Sequence, residues 1–297
     1  MIIEVVLETS ELLKKVRKIE IKTKGISKEL FAGEYHSAFK GRGMSFSEVR
    51  DYQYGDDIRN IDWNVTARMG VPHVKVYEEE RELTLMLLVD ISRSSFFGTV
   101  HQFRNELITE ICAVLAFSAL NNNDKVGLIF FADQVQMYIP PKKGKKHVLR
   151  LIRELIDAEP VGQATKLDTG LKFFNNLIKK RSICFILSDF FSEDFSQALQ
   201  VAARKHDLIG MHIFDPFEKE LPKAGMLRLM DSESGRICIV DTLDNETRRA
   251  HRQQFENRYT LLKDLFTRHG ADFISMDSGS SYIHELHRFF SRRTNRR

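Results

Sequence analysis

Three oxygen-bearing side chains stand at alternate positions directly after a strongly apolar run. The run covers residues 83–89, and Asp90, Ser92 and Ser94 follow it. An uncharged apolar run of this length is typical of a strand that is buried on both faces of a parallel sheet. Ligands of open α/β sheets bind at the carboxyl ends of strands, and one carboxylate with two hydroxyls suits Mg²⁺ or Mn²⁺ better than a soft metal. The triplet fits equally well a carboxylate that caps the next helix and serines that only turn the chain.

Two later segments shift that balance towards a metal site. Thr165 ends a short loop that precedes a helix-like apolar pattern at 167–178. Asp189 follows a second strand-like run, 182–188. All five side chains therefore lie at strand ends or on loops that lead into helices, where a sheet of this kind binds its ligands.

The elements that must position these residues alternate between strand and helix. This alternation predicts an α/β fold with a doubly wound, mainly parallel sheet. The predicted strands are 83–89, 125–131, 135–139, 182–188, 207–213 and 271–276. The predicted helices are 101–120, 146–157, 168–180, 194–205, 244–268 and 280–290, and residues 225–240 are expected to form a hairpin.

The first 80 residues have a different character. Thr9 or Ser10 is a candidate cap for a basic helix that runs to about Lys18. Residues 25–80 carry many glycine turn signals between short β-like pieces, which predicts a small β-rich elaboration. We therefore expect two regions, 1–80 and 81–297.

The elaboration contains a dense block of mixed charges around the only tryptophan, Trp63. We expect these charges to form an ion-pair network that fixes an irregular loop, with a catalytic carboxylate pair as the alternative. Residues 41–82 are expected to pack against the main domain with Trp63 and Ile61 as the apolar anchor, so that Trp63→Ala costs roughly 3–5 kcal/mol.

The five oxygen donors together resemble the metal-ion-dependent adhesion site of the von Willebrand factor A fold. In that family the pattern is Asp-x-Ser-x-Ser, then a threonine in a glycine-rich loop, then an aspartate that ends a later strand. The positions that match are Asp90, Ser92, Ser94, Thr165 and Asp189. The resemblance implies a Mg²⁺ (or Mn²⁺) ion that keeps an open position for a carboxylate of a partner protein. Phe190 departs from the family, because many members have glycine there.

A second resemblance rests on a series of uncommon residues in one order. The sequence contains Gly41-Arg42-Gly43, Phe46 to Tyr52, Gly55 to Arg59, Ile61-Asp62-Trp63, Thr66-Ala67-Arg68 and Glu79 to Glu82. This series is similar to the bacterial DUF58 family, whose members have a von Willebrand A-like domain and are commonly encoded beside MoxR-type AAA+ ATPases. The resemblance implies such an ATPase as the partner.

Several enzyme classes lack their motifs here. The sequence has no phosphate-binding P-loop, no Rossmann fingerprint after a strand and no Gly-x-Ser-x-Gly elbow. Asp90 as a phosphoryl-accepting nucleophile is weakened because Ser92 stands where a second aspartate is usual. His284 and His287 have a spacing that can hold a metal on a helix, but they have no evident third ligand, which favours an ordinary amphipathic helix.

Composition limits partners and compartment. The net charge of +4 comes from 45 basic and 41 acidic residues, which is too balanced to indicate nucleic acid or an anionic membrane. Cys112, Cys184 and Cys238 each lie in an apolar run, which predicts buried free thiols in a reducing compartment. No targeting segment and no apolar run of about 20 residues is present, so we expect a cytoplasmic protein without direct membrane insertion.

These observations favour a binding module over an enzyme. The expected function is a metal-ion-dependent protein-binding adaptor that acts with a MoxR-type AAA+ ATPase in chaperone-like remodelling or maturation of client proteins, with a possible stress or aerotolerance role. Two alternatives stay open: a Mg²⁺-dependent hydrolase of the phosphatase type, and a scaffold that binds no metal.

Overall fold

The structure, a computed structural model, describes residues 14–26, 45–78, 82–96, 98–99, 103–162, 164–230 and 235–295. The chain divides into two compact units. The smaller unit is Phe39–Glu82, and the larger unit takes residues 1–38 and Leu83–Arg297. The end of the smaller unit is close to the boundary expected at residue 80, but the described helix at 14–26 groups with the larger unit.

Strands and helices of the described residues follow the predicted alternation. The strands are β1 (Ser45–Asp51), β2 (His73–Glu78), β3 (Thr84–Asp90), β4 (Lys125–Phe131), β5 (Val135–Lys142), β6 (Ile183–Ser188), β7 (Asp207–Phe214), β8 (Met226–Met230), β9 (Ile237–Asp241) and β10 (Asp272–Asp277). The helices are α1 (14–26), α2 (Trp63–Met69), α3 (Arg104–Asn121), α4 (Lys145–Ile156), α5 (Leu167–Leu177), α6 (Ser196–Lys205), α7 (Pro216–Lys219), α8 (Asn245–Arg268) and α9 (Tyr282–Asn295). Two 3₁₀ turns lie at Ile58–Asn60 and Arg93–Phe96.

The larger unit is built on a six-stranded sheet with the order β10-β7-β6-β3-β4-β5. All neighbours pair in parallel except β4 and β5, which form an antiparallel edge. The predicted doubly wound, mainly parallel sheet is therefore confirmed. After β3 the chain moves to β4 on one side, and it later returns to place β6 on the other side. The carboxyl ends of β3 and β6 therefore form a topological switch point, where ligands bind in sheets of this kind.

The core lies on both faces of this sheet because its central strands carry apolar side chains in both directions. Residues 85–90 of β3 and all of β6 are buried. Helix α3 is buried over most of its length, since it has apolar residues on all sides. Cys112 and Cys184 belong to this core, as predicted. Cys238 is exposed, and its predicted burial is wrong because β9 belongs to an isolated two-stranded hairpin with β8.

Local sequence signals predicted the start of one helix correctly and the end of another incorrectly. Helix α8 begins as predicted, because the Asp244 carboxylate accepts hydrogen bonds from the N–H groups of Glu246 and Thr247 at 3.2 and 2.9 Å. Helix α1 continues to residue 26, so the predicted end at Lys18 is wrong, and its predicted cap lies outside the described residues. The basic residues after Lys18 keep good helix propensity, which explains the longer helix.

Gly210 in β7 allows α8 to lie very close to the sheet. A Cβ atom on Gly210 would lie 2.5 Å from Cε1 of Phe266, whose side chain is fully buried. We expect Gly210→Ala to lower the free energy of unfolding by about 1–3 kcal/mol, because the packed ring must shift to admit the methyl group. Urea unfolding measures this change. Gly25→Ala in α1 is the control, since a Cβ there meets nothing within 4 Å; equal losses in the two variants would contradict the prediction.

His206, between α6 and β7, is held as a neutral imidazole. Its Nδ1 accepts a hydrogen bond from the N–H of Ser182 at 3.3 Å and lies 2.9 Å from the Ser182 hydroxyl, so Nδ1 carries no proton. Burial is the main reason that the pKa of His206 falls to about 4, and the positive charges of Lys205 and Arg181 add to it.

The pKa of His206 predicts how stability depends on pH. His206 takes up a proton at about pH 6.5 in the unfolded chain but only near pH 4 in the folded chain. The neutral His206 therefore contributes fully to the free energy of unfolding above pH 6.5, and this contribution is lost as the pH falls to about 4. We expect a loss of at most about 3 kcal/mol, reduced by solvent screening of the neighbouring charges. Urea unfolding of wild type and His206→Asn between pH 4 and pH 7 isolates the effect, because other histidines contribute to both proteins. Identical pH profiles would count against this assignment.

The smaller unit consists of the antiparallel pair β1/β2 with a 3₁₀ turn and α2 between the strands. The Asp62 carboxylate caps α2 by accepting from the N–H groups of Asn64 and Val65 at 3.0 and 3.2 Å. Gly70 ends the helix in the left-handed region, with φ of 76°. The β-rich elaboration is therefore present, although it contains a short helix as well.

Ion pairs fix the irregular part of this unit. The Arg50 guanidinium donates to both carboxylate oxygens of Asp56 at 2.8 Å. The bond from Arg50 is the main reason that the pKa of Asp56 lies below its ordinary value. Arg59 pairs with Asp57 in a similar fork, and lowers the pKa of that carboxyl. These contacts support the predicted loop-fixing network over a catalytic carboxylate pair, because Asp56 and Asp57 are each paired with an arginine.

The smaller unit by itself does not enclose Trp63, which the sequence suggested as an apolar anchor. Its side chain is 67% exposed, and Ile58 and Tyr54 are also exposed. A two-stranded sheet with one short helix has too few residues to enclose an indole. The predicted loss of roughly 3–5 kcal/mol for Trp63→Ala therefore cannot come from the smaller unit alone, and it stays a prediction that depends on packing against the main domain. The packing of residues 41–82 against the main domain stays a prediction.

Candidate metal centre

The candidate site lies at the carboxyl ends of the neighbouring strands β3 and β6. The two strands pair in register from Leu85 with Ile183 to Val89 with Leu187. Asp90 is therefore the last residue of β3, and Ser188 is the last residue of β6 beside it. The parallel direction of the strands brings the chain segments after them, including Asp189, to one edge of the sheet.

Asp90 is a buried carboxylate with two hydrogen bonds. Its Oδ1 accepts from the N–H of Ser92 at 2.9 Å, and its Oδ2 accepts from the hydroxyl of Ser188 at 2.6 Å. Burial raises the pKa of Asp90 to about 7, and the nearby negative charge of Asp189 adds to the rise. The hydrogen bonds from Ser188 and Ser92 act in the opposite direction. A carboxylate in this position is stabilised by any cation that comes close to it.

The two serines lie in the 3₁₀ turn region directly after Asp90. Their hydroxyl oxygens are 3.0 Å apart, and both side chains are buried. In the competing interpretation, Asp90 caps the next helix. The only cap-like contact of Asp90 is the hydrogen bond from the N–H of Ser92, which lies in the loop and not in a helix. The residue at the cap of α3 is Phe103, without a side-chain hydrogen bond. The oxygens of Asp90, Ser92 and Ser94 thus converge without serving a helix cap.

Asp189 is equally buried but has a different environment. Its Oδ2 accepts from Nη1 of Arg104 at 2.7 Å, and its Oδ1 accepts from the N–H of Phe191 at 2.9 Å. Burial acts to raise the pKa of Asp189, but the Arg104 charge and the hydrogen bonds from Phe191 and Ser94 hold it below the ordinary value. Asp189 is therefore ionised and already paired with a cation.

Thr165 lies on a neighbouring loop at the same edge of the sheet. Main-chain hydrogen bonds hold this loop against the residues that follow β3 and β4. The N–H of Val161 donates to the carbonyl of Ile91 at 3.0 Å, and the N–H of Lys166 donates to the carbonyl of Ala132 at 2.8 Å. Thr165 itself is buried. The structure thus brings Asp90, Ser92, Ser94 and Asp189 together through hydrogen bonds, and it places Thr165 on the adjoining loop.

Three residues of the site were missed from the sequence. Ser188 holds Asp90, while Arg104 and Glu218 form an ion pair beside Asp189. A signal for Arg104 existed, because a cation in the first turn of an apolar helix opposes the helix dipole and therefore requires a specific acidic partner. The identity of that partner could not be read from the sequence, since Glu218 is 114 residues away.

The donor set fits a hard divalent cation. Asp90, Ser92 and Ser94 offer only oxygen atoms, and a cation between them would offset the repulsion between Asp90 and Asp189. Among the residues that the structure describes, no group of three or more His, Cys, Asp or Glu side chains could hold a metal. His284 and His287 therefore belong to no such group in the described residues, and serine hydroxyls are not among the side chains that define one.

The sheet order and the position of the site define a von Willebrand A-like α/β protein, as predicted. The chain belongs to the family described as protein of unknown function DUF58, whose model matches residues 48–260. Both resemblances found in the sequence are therefore confirmed at the level of fold and family.

One relative matches most of the chain, and a second matches less than half of it. An uncharacterized protein of Mycobacterium tuberculosis is 26% identical over 284 residues, which are 94% of this chain and 88% of the relative. A second relative, the uncharacterized protein YeaD of Bacillus subtilis, is 26% identical over 42% of this chain and 30% of its own length.

A solved structure shares the fold, and a second one is similar to the chain at a lower score. An aerotolerance-related membrane protein from Bacteroides fragilis aligns with a TM-score of 0.50 and 16% identity, over 72% of this chain and 100% of the other. BatB from Bacteroides thetaiotaomicron aligns with a TM-score of 0.47 and 15% identity, over 72% of this chain and 99% of the other. In this protein, none of the helices in the described segments is long and apolar enough to cross a membrane.

Proposed function

We propose that this protein is a metal-ion-dependent protein-binding adaptor, whose site holds Mg²⁺ or Mn²⁺. The observation that carries the proposal is the convergence of Asp90, Ser92 and Ser94, with Asp189 beside them, at the switch point between β3 and β6. These are hard oxygen donors at the position where α/β sheets bind ligands.

Each residue of the site has a defined task in this proposal. Asp90, Ser92 and Ser94 hold the ion, and Thr165 and Asp189 contribute directly or through water. Ser188 keeps the Asp90 carboxylate in place through its 2.6 Å hydrogen bond. When bound, the ion supplies an electrophilic position that accepts a carboxylate of a client protein. Protein binding would then depend on the divalent cation.

The proposed partner is a MoxR-type AAA+ ATPase in the cytoplasm. The support is that the chain belongs to the DUF58 family. Members of that family are commonly encoded beside such ATPases. In this proposal the ATPase supplies the energy and the present chain selects the client, so that the pair remodels or matures other proteins. The aerotolerance-related name of the Bacteroides fragilis neighbour is compatible with a stress role.

An adaptor explains the site better than a hydrolase does. His212 has a proton-accepting side chain near Asp189, but burial lowers its pKa to about 3. Its Nδ1 lies 2.9 Å from the Ser275 hydroxyl, and its ring stacks on Phe214 and Phe273. A histidine enclosed in this way is poorly placed to activate a water molecule.

The test is metal-dependent capture of proteins from the native host. Wild-type protein is used as bait in Mg²⁺ and in chelator, beside Asp90→Asn and the exposed control Asp264→Asn. We expect the ATPase and client proteins to be retained by wild type and Asp264→Asn in Mg²⁺ only. The same captured set with Asp90→Asn and in chelator would favour the metal-free scaffold.

A phosphatase substrate panel separates adaptor from enzyme. Purified wild-type protein in Mg²⁺ is expected to show no turnover of phosphate esters and no ATP hydrolysis of its own. Turnover that requires Mg²⁺, is lost in Asp90→Asn and persists in Asp264→Asn would establish the phosphatase alternative instead.

A further inference from the structure

Arg104 is a fully buried guanidinium inside the candidate metal centre. It lies in the first turn of α3, and its side chain has no measurable exposure. Burying an arginine is unfavourable unless its charge is paired and its N–H groups are bonded. A buried guanidinium at this position therefore requires acidic partners close to it.

The contacts of Arg104 connect three parts of the site. Nη1 donates to Oδ2 of Asp189 at 2.7 Å and to the carbonyl of Ser94 at 2.9 Å. Nη2 donates to Oε1 of Glu218. Glu218 is fixed in turn, because its Oε2 accepts from the N–H of Asp215 at 3.1 Å in the capping box of α7. Arg104 thus lies between the loop that carries Ser94 and the turn after β7.

The surrounding carboxylates explain why the guanidinium of Arg104 is buried at this point. Three carboxylates, those of Asp90, Asp189 and Glu218, surround one guanidinium in a buried region. Arg258 adds a second positive charge, but it donates to the main-chain carbonyl of Asp189 and stacks on Phe191. The Asp189 carboxylate itself is therefore compensated mainly by Arg104.

We propose that Arg104 is a built-in cation that shares this acidic cluster with the divalent ion and limits how tightly the ion binds. The inference rests on the proposed metal site. Arg104 neutralises Asp189, so the ion meets only one uncompensated carboxylate, that of Asp90, and repulsion from the guanidinium weakens binding further. An ion held this weakly leaves easily, and an additional carboxylate from a client would secure it. Arg104 is thus a positioning residue that makes metal occupancy depend on the client.

Mn²⁺ binding to Arg104→Met tests the proposal. Methionine fills a similar volume without the charge. We expect Arg104→Met to unfold at a lower temperature than wild type in chelator, since Asp189 and Glu218 lose their counter-charge. In calorimetry the variant should bind Mn²⁺ about 10-fold more tightly than wild type, and Mn²⁺ should raise its melting temperature more. A purely structural arginine would lower the melting temperature without raising the affinity.

Two further variants separate charge from packing. Arg104→Lys keeps a positive charge and should bind Mn²⁺ with an affinity close to that of wild type. Arg104→Met combined with Asp189→Asn should lose the gain in affinity, because the released carboxylate is absent. If Arg104→Met does not fold, Glu218→Gln provides the test. Without the Glu218 carboxylate, Arg104 pairs only with Asp189 and its positive charge near the ion is less compensated. The affinity for Mn²⁺ should therefore fall about 5-fold.

The outcomes distinguish this inference from the proposed function. Wild type that binds Mn²⁺, with Arg104→Met binding no more tightly, overturns the role of Arg104 and leaves the metal site standing. Absence of Mn²⁺ binding in both proteins overturns both proposals. A variant that binds Mn²⁺ where wild type does not would also overturn both proposals, because Arg104 would then exclude the ion from the native site instead of sharing the site with it.

Discussion

Replacement of Asp90 with alanine is expected to lower the affinity for Mg²⁺ and Mn²⁺ by about 100-fold or more while the fold persists. Asp90 supplies the only carboxylate of the site that is not paired with an arginine, and hard divalent ions depend on such a charge. The fold should persist because removal of this carboxylate also removes a repulsion between Asp90 and Asp189.

Calorimetry with Mn²⁺ measures the affinity, and circular dichroism reports the fold. Asp264→Ala is the matched control, since it removes an exposed aspartate from α8. Equal Mn²⁺ affinity of Asp90→Ala and wild type would show that the ion binds elsewhere. A loss of equal size in Asp264→Ala would show that the effect is not specific to the site.

Phe266→Ala is expected to cost about 3–5 kcal/mol of the free energy of unfolding. The ring is fully buried, packs against the backbone of Gly210, and lies 5.4 Å from the ring of Phe190 and 5.1 Å from that of Phe273. Truncation leaves a cavity between α8 and the sheet that these rigid neighbours cannot close. The effect would show that α8, far along the chain from β3, is part of the same core.

Urea unfolding measures this loss, and Leu261→Ala in the same helix is the control. Leu261 is 68% exposed, so its truncation should change stability by less than about 0.5 kcal/mol. Similar losses in the two variants would contradict the packing of α8 on β7. The result also bears on the site, because Phe190 follows Asp189 directly and adopts a left-handed backbone with φ of 56°.

The local parts of the fold and site were predictable because they rest on short-range patterns. Apolar runs that end in polar residues predicted β3 and β6, and a parallel sheet then requires Asp90 and Asp189 to share one edge. The residues that were missed depend on long-range contacts. Arg104 meets Asp189 and Glu218, which are 85 and 114 residues away, and no local pattern reports such a pairing.

Errors in the predicted burial have a similar cause. Trp63 and Cys238 lie in apolar surroundings along the sequence, and composition alone favours burial of such residues. Their actual exposure depends on whether a second layer covers them. Both belong to two-stranded parts of the structure, which provide one layer and cannot enclose a side chain.

The most direct measurement is the anomalous diffraction signal of Mn²⁺ in crystals of the wild-type protein, collected just below and just above the manganese absorption edge. The account predicts one manganese peak within bonding distance, about 2.1 Å, of oxygen atoms of Asp90, Ser92 and Ser94. The peak should be absent from crystals of Asp90→Ala grown under the same conditions. A manganese peak bound to other residues, or none at this edge of the sheet in saturating Mn²⁺, would contradict a divalent-cation site between β3 and β6.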